Sequence, residues 1–179
     1  MATAEAEPLI QAPVAQYIKD VAEYLQGRST DEVLQTMSRN LSAYSSIEAE
    51  LLQQKARMMG KIPDIKKSLA IVELLQRKQD EGQSAVFDFS LAEQVYAKAK
   101  VEQVTTVNLW LGANVMLEYP LDEANNLLST SLENATKSLK DINTQIDYIK
   151  DSITTTQVNQ ARVYNYDVVQ RKNKPTEDK

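Results

Sequence analysis

Two long stretches of this chain place apolar residues at alternating spacings of three and four, and this heptad repeat limits the possible folds more than any other feature. The first repeat begins at Leu34 and reaches Gln79, and the second runs from Leu128 to Ile153. An apolar stripe sustained over more than five heptads is typical of a coiled coil, because only another long helix can cover it along its whole length. The 6% aromatic content and the four glycines argue against a compact α/β enzyme.

The two heptad stretches have matched lengths. Residues 29–79 and 122–172 each span about 51 positions, or about 75 Å of α-helix. Ser29-Thr-Asp-Glu32 is a capping box that predicts the start of the first helix, and Pro120 precedes the second. Equal helices separated by a β-rich linker predict an antiparallel hairpin whose termini meet at one end. A parallel homodimer is the rival fold, but it would leave the linker unexplained.

Two features qualify the first half of the chain. Pro63 lies within the first heptad stretch and costs about 3 kcal/mol in a helix interior, which predicts a kink or a break near residues 60–64. The register continues beyond Pro63, which favours the kink. Before the capping box, apolar residues between Val14 and Gln26 are spaced as one face of a short amphipathic helix that Gly27 can end.

The linker contains an internal repeat with an offset of twenty residues. Residues 87–98 match residues 107–118 position by position, and apolar residues alternate in both copies. Each copy predicts a β-hairpin, with Gly112 and Asn114 tolerating positive φ in the second turn. Four short strands cannot bury this much apolar surface alone, which predicts assembly with hairpins of other chains; a small self-contained cap is the alternative. The predicted assembly residues are Phe87, Phe89, Val107, Leu109, Leu111, Val115 and Leu117.

The heptad positions that pair the two helices, which we call the seam, are no longer apolar on both helices where the first helix starts and the second ends. In antiparallel pairing, Met37 lies opposite Tyr164, among polar residues such as Asn159 and Gln160. Exposed apolar side chains at a frayed end suit transient capture of apolar segments, whereas ordinary end-of-coil packing is the alternative reading. The candidate residues of this tip are Val33, Leu34, Met37, Leu41, Val158, Val163, Tyr164 and Tyr166.

Composition excludes most other functions. The chain has no Cys and no His, which removes the commonest nucleophile–base pairs and zinc ligands, and its four glycines form no phosphate-binding loop. A net charge of −5 argues against nucleic-acid binding. Without a basic, apolar leader or a long apolar run, we expect a soluble, intracellular protein that is not an enzyme and needs no cofactor, metal or membrane.

Two long motifs resemble the α-type subunits of the prefoldin family: residues 109–124, LWLGANVMLEYPLDEA, and residues 154–168, TTTQVNQARVYNYDV. Lys61-Ile-Pro-Asp-Ile65 is similar to a first-helix motif of that family, and the resemblance extends from about residue 13 to residue 172. One position differs, because the family commonly has Trp where this chain has Tyr166. Both side chains are large and amphipathic, so the resemblance still implies client contact there.

The resemblance implies a mainly α fold: a long antiparallel coiled-coil hairpin with two β-hairpins at the joined end. It implies a cytoplasmic heterohexamer with one further α-type and four β-type subunits, which captures unfolded actin and tubulin at the coiled-coil tips without ATP and delivers them to the cytosolic group II chaperonin. A structural spacer or tether in another complex is the alternative. The expected division is a tail with a short helix (1–28), a first helix (29–80), the assembly hairpins (81–119), a second helix (120–172) and a C-terminal tail (173–179).

Overall fold

The computed structural model describes residues 12–112 and 114–173. The elements follow one another as α1 (Val21–Leu25), α2 (Thr30–Asp80), β1 (Ala85–Ala92), β2 (Val95–Val101), β3 (Thr106–Gly112), β4 (Val115–Pro120) and α3 (Leu121–Asn173). Two long helices and two antiparallel β-hairpins confirm the predicted fold class. The chain divides into two compact units: a tip unit within residues 1–56 and 140–179, and a hairpin unit of residues 57–139.

Helix α2 is continuous through Pro63, which excludes a break near residues 60–64, one of the two outcomes predicted from the sequence. Proline lacks the N–H that would bond to the carbonyl four residues earlier, but the flanking seam residues keep their packing. Ile62 is half-buried and Ile65 is buried, as the heptad register predicts. Burial along the seam therefore offsets the cost of the proline.

The hairpin unit joins the last turns of α2 to the first turns of α3 around a small apolar core. This core consists of the buried residues Val72, Leu75, Ala85, Leu121 and Ala124. Beside it, the Gln76 Nε2 donates to Asp122 Oδ1 at 2.8 Å, and Gln76 Oε1 accepts from Asn125 Nδ2 at 2.8 Å. One glutamine amide thus binds the two helices in antiparallel alignment at the base of the hairpins.

The twenty-residue repeat is visible in the backbone of the two hairpins. β1 pairs with β2 and β3 pairs with β4, each as a separate two-stranded sheet. The ladder shifts register after Ser90 in the first hairpin and after Trp110 in the second. The turns carry positive φ at Gln94 (63°) and Asn114 (62°), again twenty residues apart. The predicted turn chemistry is confirmed, and the first turn uses a residue with no special tolerance for that conformation.

In the tip unit, the start of α2 packs against the second half of α3. The buried residues of α2 are Val33, Met37, Tyr44 and Leu51, and those of α3 include Ile142, Ile146, Ile149 and Val163. The Gln160 Nε2 donates to the Ser38 hydroxyl at 3.1 Å, which places an early turn of α2 beside a late turn of α3. The helices are therefore antiparallel in this unit as well.

The prediction of a helix from Val14 to Gln26 was wrong for its first half. Only Val21–Leu25 is helical, and Asp20 caps it by accepting from the N–H groups of Ala22 (2.8 Å) and Glu23 (3.2 Å). Residues 12–20 form neither helix nor strand. Side chains of α2 and α3 bind the main chain of this stretch, and these tertiary hydrogen bonds replace the helical ones.

The strained turn of the first hairpin yields a stability prediction. Gln94→Gly should stabilise this hairpin by up to about 1 kcal/mol, because relief of a left-handed non-glycine residue exceeds the added entropy of glycine in the unfolded chain. Slower amide hydrogen exchange in β1 and β2 would report the gain. Glu93→Gly is the matched control: φ at Glu93 is not positive, so this change should only weaken the hairpin. Equal effects of the two substitutions would contradict the explanation.

Candidate binding surfaces

The tip unit is covered by the chain's own N-terminal segment, residues 13–28, which we call the strap. Three of its apolar residues, Ile18, Val21 and Leu25, are each less than a tenth exposed. They form one buried cluster with Val33, Met37 and Val163, and Leu34 and Tyr166 pack against it. The strap therefore closes the apolar end of the coiled coil.

Asn159 of α3 holds the strap by its main chain. Its Oδ1 accepts from the Ile18 N–H at 3.0 Å, and its Nδ2 donates to the Gln16 carbonyl at 2.7 Å. A carboxamide has one acceptor and two donors, so it can pair with a peptide backbone as another peptide group would. The Asn159 side chain is buried, and both of its polar atoms are satisfied by the strap.

Arg162 and Tyr44 make further contacts to the strap. The Arg162 guanidinium donates to the Lys19 carbonyl at 2.9 Å and to the Tyr17 hydroxyl, and its carbon lies 4.9 Å from the centroid of the Tyr17 ring. The Tyr44 hydroxyl donates to the Pro13 carbonyl at 2.6 Å. Most of these polar contacts are to backbone carbonyls, so the helices hold the strap largely without reading its sequence.

Burial raises the pKa of the Tyr44 phenol above its ordinary value, and the nearby Tyr148 adds to the rise while a hydrogen bond with Thr156 opposes it. Only the protonated phenol can donate to Pro13. Because the folded-state pKa is raised, the contribution of this bond is fully present below the ordinary tyrosine pKa of about 10 and is lost as the pH rises through the shifted value. The hydrogen bond from Tyr44 to Pro13 is therefore retained throughout the neutral pH range.

The eight predicted tip residues fall into three groups. Val33, Met37 and Val163 are buried beneath the strap; Leu34, Leu41 and Tyr166 are half-buried; Val158 and Tyr164 are exposed, at 43% and 58%. The structure differs from the expected frayed end, because the strap supplies the apolar partners that the seam itself lacks. The exposed apolar side chains towards the end of α3 are Val158, Tyr164 and Val169.

Sequence reasoning did not select Asn159 and Arg162 as site residues. The buried positions of α3 step from Ile149 through Ser152, Thr156 and Asn159 to Val163, at alternating spacings of three and four. Polar residues at seam positions normally need a specific partner. This continued register could have identified Asn159, but its partner lies more than 140 residues away in sequence and only the tertiary structure reveals it.

The seven predicted assembly residues lie in the hairpins, and the structure separates them by exposure. Phe87, Phe89, Leu111, Val115 and Leu117 are exposed, whereas Val107 and Leu109 are half-buried against the core of the hairpin unit. Trp110 and Met116 pair across β3 and β4 on the other face and are 61% and 54% exposed. The second hairpin therefore presents apolar side chains on both faces, which the sequence analysis had not recognised.

Within residues 12–112 and 114–173, no group of three or more acidic, His or Cys side chains is arranged to hold a metal ion. None of the helices in this part of the chain is long and apolar enough to cross a membrane. A coiled-coil chain with exposed apolar hairpins belongs to the class of assembly and binding proteins.

Comparison with known proteins identifies the family. Residues 44–166 match the family model described as "Prefoldin subunit". The chain is 41% identical to prefoldin subunit 3 of Mus musculus over 89% of its length and 83% of the mouse protein, and 41% identical to that of Homo sapiens over 89% and 82%. The cryo-EM structure of filamentous PFD from Methanocaldococcus jannaschii shares the fold, with a TM-score of 0.52 and 18% identity over 66% of this chain and 95% of that one. The chain belongs to the prefoldin family.

The predicted family is thus confirmed, and the chain is a prefoldin chaperone subunit. Membership implies a co-chaperone and not a catalyst. The spacer alternative is not favoured by these relatives.

Removal of the Tyr44 hydroxyl should loosen the strap. Tyr44→Phe keeps the buried ring but leaves the Pro13 carbonyl without its donor, at a cost of about 1 kcal/mol. Faster hydrogen exchange in residues 14–18, with unchanged helical circular dichroism, would show this. Tyr148→Phe removes a more exposed hydroxyl and is the control; comparable exchange in both variants would count against the Pro13 contact.

Proposed function

We propose that this chain is one of two α-type subunits of a cytoplasmic prefoldin heterohexamer, with four β-type subunits as the others. In this assignment it works without ATP, catalysis, cofactor, metal, membrane or nucleic acid. Its tip unit holds unfolded or nascent polypeptides, with actin and tubulin as clients, and delivers them to the cytosolic group II chaperonin. Support for these details comes from the family to which the chain belongs.

The proposed holding function rests on one observation, which is that the tip unit binds part of the chain's own N-terminal segment. This unit already binds a non-helical stretch of polypeptide, residues 13–19, through carbonyl and N–H groups of the main chain. Every unfolded protein offers these groups, so a surface built this way suits clients of unrelated sequence. The exposed Val158 and Tyr164 add apolar contact area beside it.

Assembly is assigned to residues 81–119, and exposure of the hairpins supports it. An isolated two-stranded hairpin is marginally stable and leaves its edges unpaired, and both hairpins here are separate two-stranded sheets. Pairing with hairpins of other subunits would satisfy these edges and cover Phe89, Leu117 and Trp110. The half-buried Val107 and Leu109 would then position the second hairpin on its own helices instead of contacting a neighbouring subunit.

A charge on the hairpin should prevent assembly. Phe89→Asp places an uncompensated carboxylate on a surface that assembly would bury, which costs several kcal/mol and should shift the complex to smaller species. Native mass spectrometry of the purified complex with its co-purifying chains measures the change. Met59→Asp, an equally exposed apolar-to-acid change in α2, is the control and should leave the mass unchanged. A full-mass complex containing Phe89→Asp would refute the assembly role.

Loss of the exposed tip residues should weaken client holding without affecting the fold. Val158→Ser combined with Tyr164→Ser changes two exposed side chains that lie outside the buried cluster, so the helices should remain intact. The assembled complex should then suppress aggregation of unfolded actin at least threefold less well. Leu52→Ser, an exposed apolar change in the same unit, is the matched control. Equal suppression by both complexes would rule out holding at this surface.

A further inference from the structure

The strap occupies the surface to which the holding function is assigned. Its backbone hydrogen-bonds to both polar atoms of the Asn159 side chain, and its Ile18 side chain lies in the buried cluster with Val33, Met37 and Val163, which we call the apolar pocket. As long as the strap stays docked, no other polypeptide can reach these groups. The tip is then limited to its outer residues, such as Val158 and Tyr164.

We infer that the strap is an autoinhibitory segment that competes with extended stretches of unfolded polypeptide for the Asn159 amide and the apolar pocket beside it. The inference rests on the proposed holding function and adds to it the site, the mode of recognition and its regulation.

The contact geometry identifies the kind of polypeptide that can replace the strap. Asn159 bonds to the carbonyl of residue 16 and to the N–H of residue 18. In an extended chain, these two groups point to the same side, because the backbone N–H and C=O groups of successive residues point to alternate sides. Within the stretch that Asn159 binds, residues 16–18, Ile18 is the side chain that joins the buried apolar cluster. The site therefore accepts an extended segment with an aliphatic residue at that position and reads little else of its sequence.

Several features make the strap suited to displacement. It is held largely by main-chain hydrogen bonds and by three apolar side chains, and its helix α1 has only five residues. The connection to α2 passes through Gln26 and Gly27, both at positive φ, so the strap folds back sharply onto the tip. Covalent attachment gives it a high local concentration, so weak contacts suffice to exclude dilute competitors, while a client that brings more apolar area can displace it.

The fraction of time for which the strap is undocked sets the apparent affinity of the site for an unfolded chain. If the strap is docked nine-tenths of the time, the apparent dissociation constant for an unfolded chain is about tenfold weaker than that of the open site. At that occupancy, release of the strap raises capture about tenfold at low client concentration.

The test uses the assembled complex and an unfolded probe, reduced and carboxymethylated α-lactalbumin. A photocrosslinking residue, benzoylphenylalanine, replaces the exposed Val169, so that capture is measured at this chain's tip and not at those of other subunits. Ile18→Asp should release the strap and raise the crosslinked yield about tenfold. Val14→Asp is the matched control, because Val14 is exposed in the same segment and should leave the yield unchanged. Equal yields for the two variants would overturn the inference.

A second experiment locks the strap in place and does not depend on a destabilising change. The chain has no Cys, so Tyr17→Cys with Arg162→Cys introduces one pair, which a flexible bis-maleimide containing a disulfide can bridge. The bridged complex should capture less than a fifth as much probe as the unbridged one, and reduction should restore capture. The unmodified complex, treated alike, controls for cysteines of partner subunits. Unchanged capture by the bridged complex would overturn the inference.

Failure of this inference is distinguishable from failure of the holding function. If the serine substitutions at positions 158 and 164 reduce capture while strap release and strap locking leave it unchanged, the tip holds clients and the strap does not regulate it. If the serine substitutions have no effect either, the holding function itself is wrong.

Discussion

Burial of one narrow apolar stripe on each long helix is the interaction on which the other features depend. A stripe that repeats every seven residues cannot be covered by loops or short elements, so α2 and α3 must cover each other. In the hairpin unit this pairing closes around Val72 and Leu121, and in the tip unit around Met37 and Val163. The strap and the two hairpins are joined to these helices. The groups that the helix pairing leaves without partners determine what the strap and the hairpins bind.

In the tip unit, the pairing leaves one polar side chain without a partner, beside the apolar cluster that the strap covers. Ser152 and Thr156 bond back to carbonyls of their own helix, at 2.9 and 2.8 Å, but Asn159 has a side chain that no helix partner satisfies. A buried carboxamide without partners would cost a few kcal/mol, and the strap removes that cost with two hydrogen bonds. The same arrangement makes the site receptive to any extended backbone. The Asn159 side chain therefore contributes both to the stability of the tip unit and to the proposed binding.

In the hairpin unit, the unsatisfied groups are apolar side chains and strand edges. The core around Ala85 and Leu121 fixes the base of the hairpins, whereas apolar side chains nearer the turns, such as Phe89 and Trp110, are exposed. The repeat places equivalent bulges and equivalent left-handed turn residues twenty positions apart, so both hairpins present their strands in the same way. Such duplicated, exposed strands favour a shared sheet over a monomeric cap.

The sequence by itself determined the two helices and the two hairpins, because heptad spacing, alternation and turn residues are local patterns with one dominant structural solution. The antiparallel pairing was predicted from the matched helix lengths and the linker between them. The sequence also determined much of the seam, including Tyr44 and Ile65, since burial follows from periodicity, but it did not identify the buried polar positions Ser152 and Asn159.

Only the tertiary structure decided the state of the tip. The spacing of Val14, Ile18, Val21 and Leu25 by itself predicts one continuous helix. No local pattern indicates that Asn159, Arg162 and Tyr44 bind the backbone of this stretch instead. Hydrogen bonds between residues 141 or more positions apart leave no periodic signature in the sequence. The physical reason is that the free energy of docking arises only when the strap and the surface of α2 and α3 meet. In the sequence, each of the two has the pattern of an ordinary amphipathic helix.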